Sequence, residues 1–65
     1  MKYEIWTDGE NLQRTFREEH LAQALVFANE TKRAYLQVEI VERGDAGEVL
    51  RVLGTVDVPE RAIRG

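Results

Sequence analysis

Residues 2–16 read KYEIWTDGENLQRTF, a pattern that predicts a β-hairpin. Before the turn, apolar and polar residues alternate, as they do in a strand with one buried face. Asp8-Gly9 is a dipeptide that favours a two-residue type I′ turn between antiparallel strands. Such a turn sets Ile5 opposite Leu12, and opposed residues share one face of a sheet. This stretch therefore predicts two paired strands with Ile5 and Leu12 on the core side.

A helix is predicted next, over residues 17–32. Its buried stripe follows the spacing i, i+3, i+4, i+7 and consists of Leu21, Ala24, Leu25 and Ala28. Thr15 and Glu18 have the spacing of a capping box, which would open the helix. Val26 and Phe27 fall beside the polar side rather than on the stripe. The helix is therefore more apolar than a surface helix with a single buried face.

A second hairpin is predicted from residues 34–42 and 48–58, which are rich in β-branched and aromatic side chains. A loop centred on Asp45 gives three pairs with matching faces: Ile40 with Leu50, Val38 with Val52, and Val41 with Val49. Sliding this register by two residues keeps the faces and remains an alternative, whereas a slide by one inverts them. Pro59 is predicted to end the last strand, and residues 59–65 form either a frayed tail or a helical turn docked by Ile63.

These elements predict an α+β domain of ββαββ order, spanning residues 1–58, with a C-terminal tail at 59–65. The fold is a mostly antiparallel four-stranded sheet with one helix packed across one face. The first strand can adjoin either the third or the fourth. The predicted core side carries Tyr3, Ile5, Leu12, Phe16, Leu36, Val38, Ile40, Leu50, Val52 and Val56.

The composition excludes several function classes. The chain has 65 residues, a net charge of −3 with charges of both signs interspersed, and no cysteine. Disulfides and thiolate metal sites are therefore excluded, and a general nucleic-acid binder, which needs excess Lys and Arg, is disfavoured. There is no apolar run of the ~20 residues that cross a membrane. No apolar signal-peptide region precedes the first strand, so a cytoplasmic protein is expected.

The sequence offers little catalytic chemistry, since it contains neither serine nor cysteine. Its one histidine, His20, adjoins Glu18 and Glu19. On a functional interpretation, His20 is a general base that one of these carboxylates orients. An exposed polar residue on a helix explains it more simply. Arg43-Gly44-Asp45 matches a cell-adhesion tripeptide, but a hairpin turn accounts for it. We expect no enzyme activity, no metal and no cofactor.

A second apolar set falls on the opposite side of the same strands, and a small domain cannot bury two faces alone. It comprises Trp6, Tyr35, Val41, Val49 and Leu53, and we add Val26 and Phe27 from the helix to complete a predicted partner interface. Apolar surface drives association as well as folding, so the set predicts a homodimer or a protein partner. Singly scattered apolar residues on a solvated face are the simpler alternative. One specific version of the prediction is an inhibitor or accessory protein of a phage or mobile element.

A module that binds single-stranded nucleic acid is the alternative from another class. Trp6 and Tyr35 would stack on bases, with the charges of Arg14, Arg33 and Arg51 nearby. The sequence has no RNA-recognition signature and few basic residues around these aromatics. This alternative therefore ranks below protein binding.

Overall fold

The computed structural model describes residues 1–54 and has the predicted ββαββ order. Its elements are β1 (Lys2–Thr7), β2 (Asn11–Arg17), α1 (Leu21–Thr31), β3 (Val38–Arg43) and β4 (Val49–Leu53). All neighbouring strands are antiparallel, in the order β2-β1-β3-β4, and α1 packs against β1, β2 and β3. The α+β fold is confirmed, and β1 adjoins β3. The predictions for Val56, Pro59, Ile63 and the 58/59 boundary lie outside the described residues.

The first turn has the predicted type I′ backbone at Asp8-Gly9, but its loop has three residues, 8–10, rather than two, because Thr7 pairs with Asn11 instead of Glu10. Asp8 and Gly9 both have positive φ angles, 55° and 75°. The Glu10 amide donates to the Thr7 carbonyl over 3.2 Å, which closes the turn. Positive φ at both central residues is the signature of type I′.

The ladder beyond this turn differs from the predicted register in two steps. It aligns Trp6 with Leu12, which places Leu12 on the side of the sheet away from α1, 48% exposed. The predicted pairing of Ile5 with Leu12 is therefore wrong. Gln13 is then an extra residue, so Ile5 pairs with Arg14 and Tyr3 with Phe16. Because this β-bulge shifts the ladder by one residue, it returns Phe16 to the core side.

The second hairpin is also offset and bulged. Near its loop the slide by two residues is observed, since Arg43 pairs with Val49. Leu50 is then an extra residue and inverts the remaining faces. The pairs that follow are Glu42 with Arg51, Val41 with Val52, and Ile40 with Leu53. The three predicted pairs are wrong, and Val52 turns away from α1 while Leu53 turns towards it.

Two further residues leave the predicted core. Strand β3 begins at Val38, so Leu36 lies in the connection after α1 and is 99% exposed. Leu50, at the second bulge, is about half exposed. In both cases the backbone leaves the regular alternation on which the prediction depended.

The core lies between α1 and the sheet. It contains Tyr3, Ile5, Phe16, Ala24, Ala28, Val38 and Ile40, with Leu25, Phe27 and Leu53 packed against it. Ala24 and Ala28 are fully buried, as expected if small side chains let the helix approach the sheet closely.

The start of the helix differs from the prediction. Residues Glu18–His20 form a 3₁₀ turn, and α1 begins only at Leu21. Neither segment has a side-chain hydrogen bond at its N-cap, so the predicted capping box of Thr15 and Glu18 is wrong. Leu21, in the first turn of α1, is 39% exposed rather than buried.

Candidate interaction surface

We call the side of the sheet away from α1 the outer face. Strand alternation and cross-strand register place five apolar residues there: Leu12, Trp6, Val41, Val49 and Val52. The same criteria place the charged side chains of Lys2, Glu4, Glu39 and Arg43 on this face. The outer face is therefore apolar with a charged centre.

Glu4 organises that centre. Its side chain is 9% exposed, and its Oε1 atom accepts hydrogen bonds from Arg43 Nε at 2.7 Å and Trp6 Nε1 at 3.0 Å. The Lys2 ammonium lies 3.8 Å from the other carboxylate oxygen. Arg43 also donates from Nη1 to the Gly47 carbonyl over 2.9 Å. The network fixes the indole and the guanidinium on the outer face and ties them to the β3–β4 loop.

The network also sets the charge of Glu4. Burial by itself would raise the pKa of this carboxyl. The hydrogen bonds from Arg43 and Trp6, with the charges of Arg43 and Lys2, outweigh burial and hold the pKa below its ordinary value of 4.5. Glu4 is therefore ionised at neutral pH and neutralised by its neighbours.

Strand β4 borders the outer face as an edge strand, paired in the described part of the chain only with β3. Val49, Leu50 and Val52 are each about half exposed. The one charged residue of the strand, Arg51, lies on the α1 side, 3.2 Å from a Glu42 oxygen. An edge strand with unpaired backbone groups and apolar side chains is a template for pairing with another chain.

The residues of the interface predicted from sequence do not all lie on one surface. Trp6, Val41 and Val49 lie together on the outer face. Leu53 lies on the α1 side against the core, and the Phe27 ring packs 5.8 Å from the Phe16 ring.

Val26 and Tyr35 lie apart from the outer face as well. Val26 is half-buried on α1, and Tyr35 lies in the connection from α1 to β3, 39% exposed. Sequence reasoning missed Leu12 and Val52 as members of the outer face. Only knowledge of the register and its two bulges would have found them.

The residues of the nucleic-acid alternative do not share a surface. Trp6 donates a hydrogen bond to Glu4 and pairs across the ladder with Glu39, whose carboxylate repels phosphate. Tyr35 lies off the sheet, while Arg14 and Arg51 point to the α1 side. The geometry therefore gives this alternative no support.

Within residues 1–54, no group of three or more His, Asp or Glu side chains is placed to hold a metal ion. His20 is exposed and ends the 3₁₀ turn. Within the same residues, no helix is both long and apolar enough to cross a bilayer.

Comparison of the chain with known proteins found no matching family model, no matching curated protein and no matching solved structure.

Proposed function

We propose that this protein is a small non-catalytic interaction module that self-associates through its outer face and the adjoining β4 edge. The observation that carries the proposal is the row of half-exposed apolar residues Val49, Leu50 and Val52, at the border of a face that also presents Trp6. Apolar groups in such a row gain free energy when a second surface covers them.

The size of the chain strengthens the case for association. A 65-residue domain buries only ~60% of the surface that its unfolded chain exposes, so its own core stabilises it weakly. A partner that binds only the folded form adds stability by mass action.

The dimensions of the molecule indicate how much of its surface such an interface would cover. A standard interface buries about 800 Å² on each partner. The largest cross-section of the molecule measures 31 × 28 Å. Association would therefore engage most of a broad face rather than one corner, with the Glu4 network supplying the polar contacts of the interface.

Sedimentation velocity of the full chain, from low to high micromolar concentration, tests the proposal. We expect the average mass to rise from monomer towards dimer. Val52→Glu places a charge on the outer face at a half-exposed position, so it should weaken association at least about tenfold, since an uncompensated charge opposes burial. Its helix content by circular dichroism should match that of the original chain.

Leu36→Glu is the matched control, because it makes the same change of charge at a residue that is 99% exposed and off the sheet. It should associate like the unsubstituted chain. A protein that stays monomeric at high micromolar concentration, or equal weakening by both substitutions, would overturn the proposal.

A further inference from the structure

A groove lies on the other side of the molecule, between the edge strand β2 and α1. Its volume is about 510 Å³. Its lining includes Arg14 and Phe16 from β2, His20, and Val26, Phe27 and Glu30 from α1. The outer face and β4 take no part in it, so the groove is separate from the surface proposed for self-association.

The groove has an aromatic wall that carries a cation. The Phe16 and Phe27 rings are 5.8 Å apart at an angle of 59°. The Arg14 guanidinium carbon lies 4.9 Å from the centre of the first ring and 5.6 Å from that of the second. Contacts of this length with ring faces are attractive and hold the guanidinium in place.

The bulge at Gln13 is what brings Arg14 here. If Gln13 paired with Ile5 instead of bulging, the register of Trp6 with Leu12 would continue and set Arg14 opposite Glu4, on the outer face. With the bulge, Arg14 pairs with Ile5 and reaches the aromatic wall. The bulge therefore places the Arg14 cation in the groove and away from the Glu4 carboxylate on the outer face.

Arg14 forms no ion pair with any of residues 1–54. The N–H groups of a guanidinium match a carboxylate in a two-point contact. The cation is thus positioned for an acidic group that the described residues do not supply.

The backbone of β2 supplies the second half of a binding site. Among the described strands, β2 pairs only with β1, so its other edge borders the groove with unpaired backbone groups. An extended peptide can add to such an edge as a further strand. Its main chain then gives affinity, and alternate side chains enter the adjacent pocket.

We propose that the groove between β2 and α1 receives an extended segment of a partner protein, which adds to β2 and sets an acidic side chain on Arg14. An apolar side chain two residues away reaches Val26 and Phe27, because alternate residues of a strand share a face.

Charge favours this occupant over a second copy of the chain. Strand β2 carries Arg14 and Arg17 and no acid, so antiparallel pairing of two copies brings like charges together, which is destabilising. Exposed Glu30 limits the acidic character of the ligand. It favours a peptide with one negative charge at Arg14 over a polyacidic segment or nucleic acid.

Selection from a phage-displayed library of random decapeptides against the full chain tests the proposal. We expect enriched peptides to share one Asp or Glu with an apolar residue two positions away. The best peptide, labelled with fluorescein, is then titrated by anisotropy. Arg14→Gln should weaken binding at least about tenfold, and changing the acid of the peptide to its amide should weaken it equally. Arg14→Lys keeps the charge but loses the two-point donor geometry, so its affinity should lie between those of the unsubstituted chain and Arg14→Gln.

Arg33→Gln is the matched control, since it removes an exposed cation beyond the C-terminal end of α1 and should leave binding within about twofold. Amide shifts in the ¹⁵N spectrum should centre on residues 11–17. Four results would each overturn the proposal: no enriched peptide, enrichment without an acid, shifts centred on β4, or displacement of the peptide by oligothymidine. Self-pairing at β2, seen as concentration-dependent shifts of its amides without peptide, would do so as well.

Discussion

Arg43 Nε donates to Glu4 Oε1 over 2.7 Å, although the two residues are diagonal rather than opposed in the β1–β3 ladder. Lys2, not Glu4, is directly opposite Arg43, and Glu4 is opposite Val41. Only a long side chain bridges such a diagonal. The bond therefore couples the central strand pair to the loop that leads into β4, because Arg43 also contacts the Gly47 carbonyl.

Removal of the guanidinium should destabilise the fold. Arg43→Met leaves a largely buried carboxylate without its closest partner, and we expect the free energy of unfolding to fall by about 1.5–3 kcal/mol. Urea denaturation at pH 7 measures this change. A loss below about 0.5 kcal/mol would mean that solvent replaces the guanidinium at no cost, which contradicts the burial of Glu4.

Stability should also decline in acid because of Glu4. The pKa of this carboxyl is lower in the folded chain than its ordinary value of 4.5, so the unfolded chain takes up the proton first as the pH falls. The stabilisation is complete above that value and is lost as the pH drops through the folded pKa. Glu4→Gln should flatten the decline in urea-unfolding free energy below about pH 4.5, relative to the unsubstituted chain. Glu19→Gln, at an exposed acid, should keep the decline, and an unchanged slope in Glu4→Gln would contradict the assignment.

Removal of the extra residue in β2 is predicted to leave the core in place. Deletion of Gln13 joins Leu12 to Arg14, so the ladder becomes regular while Ile5 still pairs with Arg14 and Tyr3 with Phe16. Gln13→Ala keeps the bulge and removes the 2.9 Å hydrogen bond from Nε2 to Thr7 Oγ1. Both variants lose that bond, so each should cost about 1 kcal/mol. Thermal unfolding followed by circular dichroism measures both, and a loss of about 3–5 kcal/mol for the deletion alone, the range for removing a buried phenylalanine, would show that Phe16 had left the core.

The same bulge marks the limit of what the sequence predicts. Element order, the Asp8-Gly9 turn and the close approach of Ala24 and Ala28 follow from local chemistry and periodicity, and they are observed. The faces of Leu12 and Val52 do not follow, because alternation has a period of two and one extra residue inverts it. That residue is Glu10 in the first loop for Leu12, and Leu50 in β4 for Val52. No residue type announces Glu10, Gln13 or Leu50 as an extra residue.

The candidate surfaces depend on the same register. The sequence predicts more apolar side chains than one core can bury. It correctly places Trp6 and Val41 on the outer face. It assigns Phe27 to a partner, whereas the ring packs on Phe16 within the chain. The β2–α1 groove could not be predicted, because its walls depend on how α1 packs beside β2, which periodicity does not specify.

The first turn should tolerate only residues that accept a positive φ at its second position. Gly9 has a φ of 75°, and no atom lies within 4 Å of the point where a Cβ would be attached, so the cost of Gly9→Ala is that of the backbone alone. We expect a loss of about 1–2 kcal/mol, measured by urea denaturation. Gly9→Asn should cost less, because asparagine enters the left-handed region more readily. A smaller loss for alanine than for asparagine would contradict the assigned turn.

The close packing of α1 on the sheet should be sensitive to side-chain volume. Ala28 is fully buried between the helix and the sheet, and Ala28→Leu adds three carbon atoms where the neighbouring core is packed. Overpacking of this kind costs about 1–3 kcal/mol because neighbouring side chains and backbone must shift. Ala22→Leu makes the same change at an exposed position of the same helix and should alter stability by no more than about 0.5 kcal/mol. Urea denaturation of both variants measures the difference. If Ala28→Leu proved as stable as Ala22→Leu, the helix would have room to move away from the sheet, and the two alanines would not set their separation.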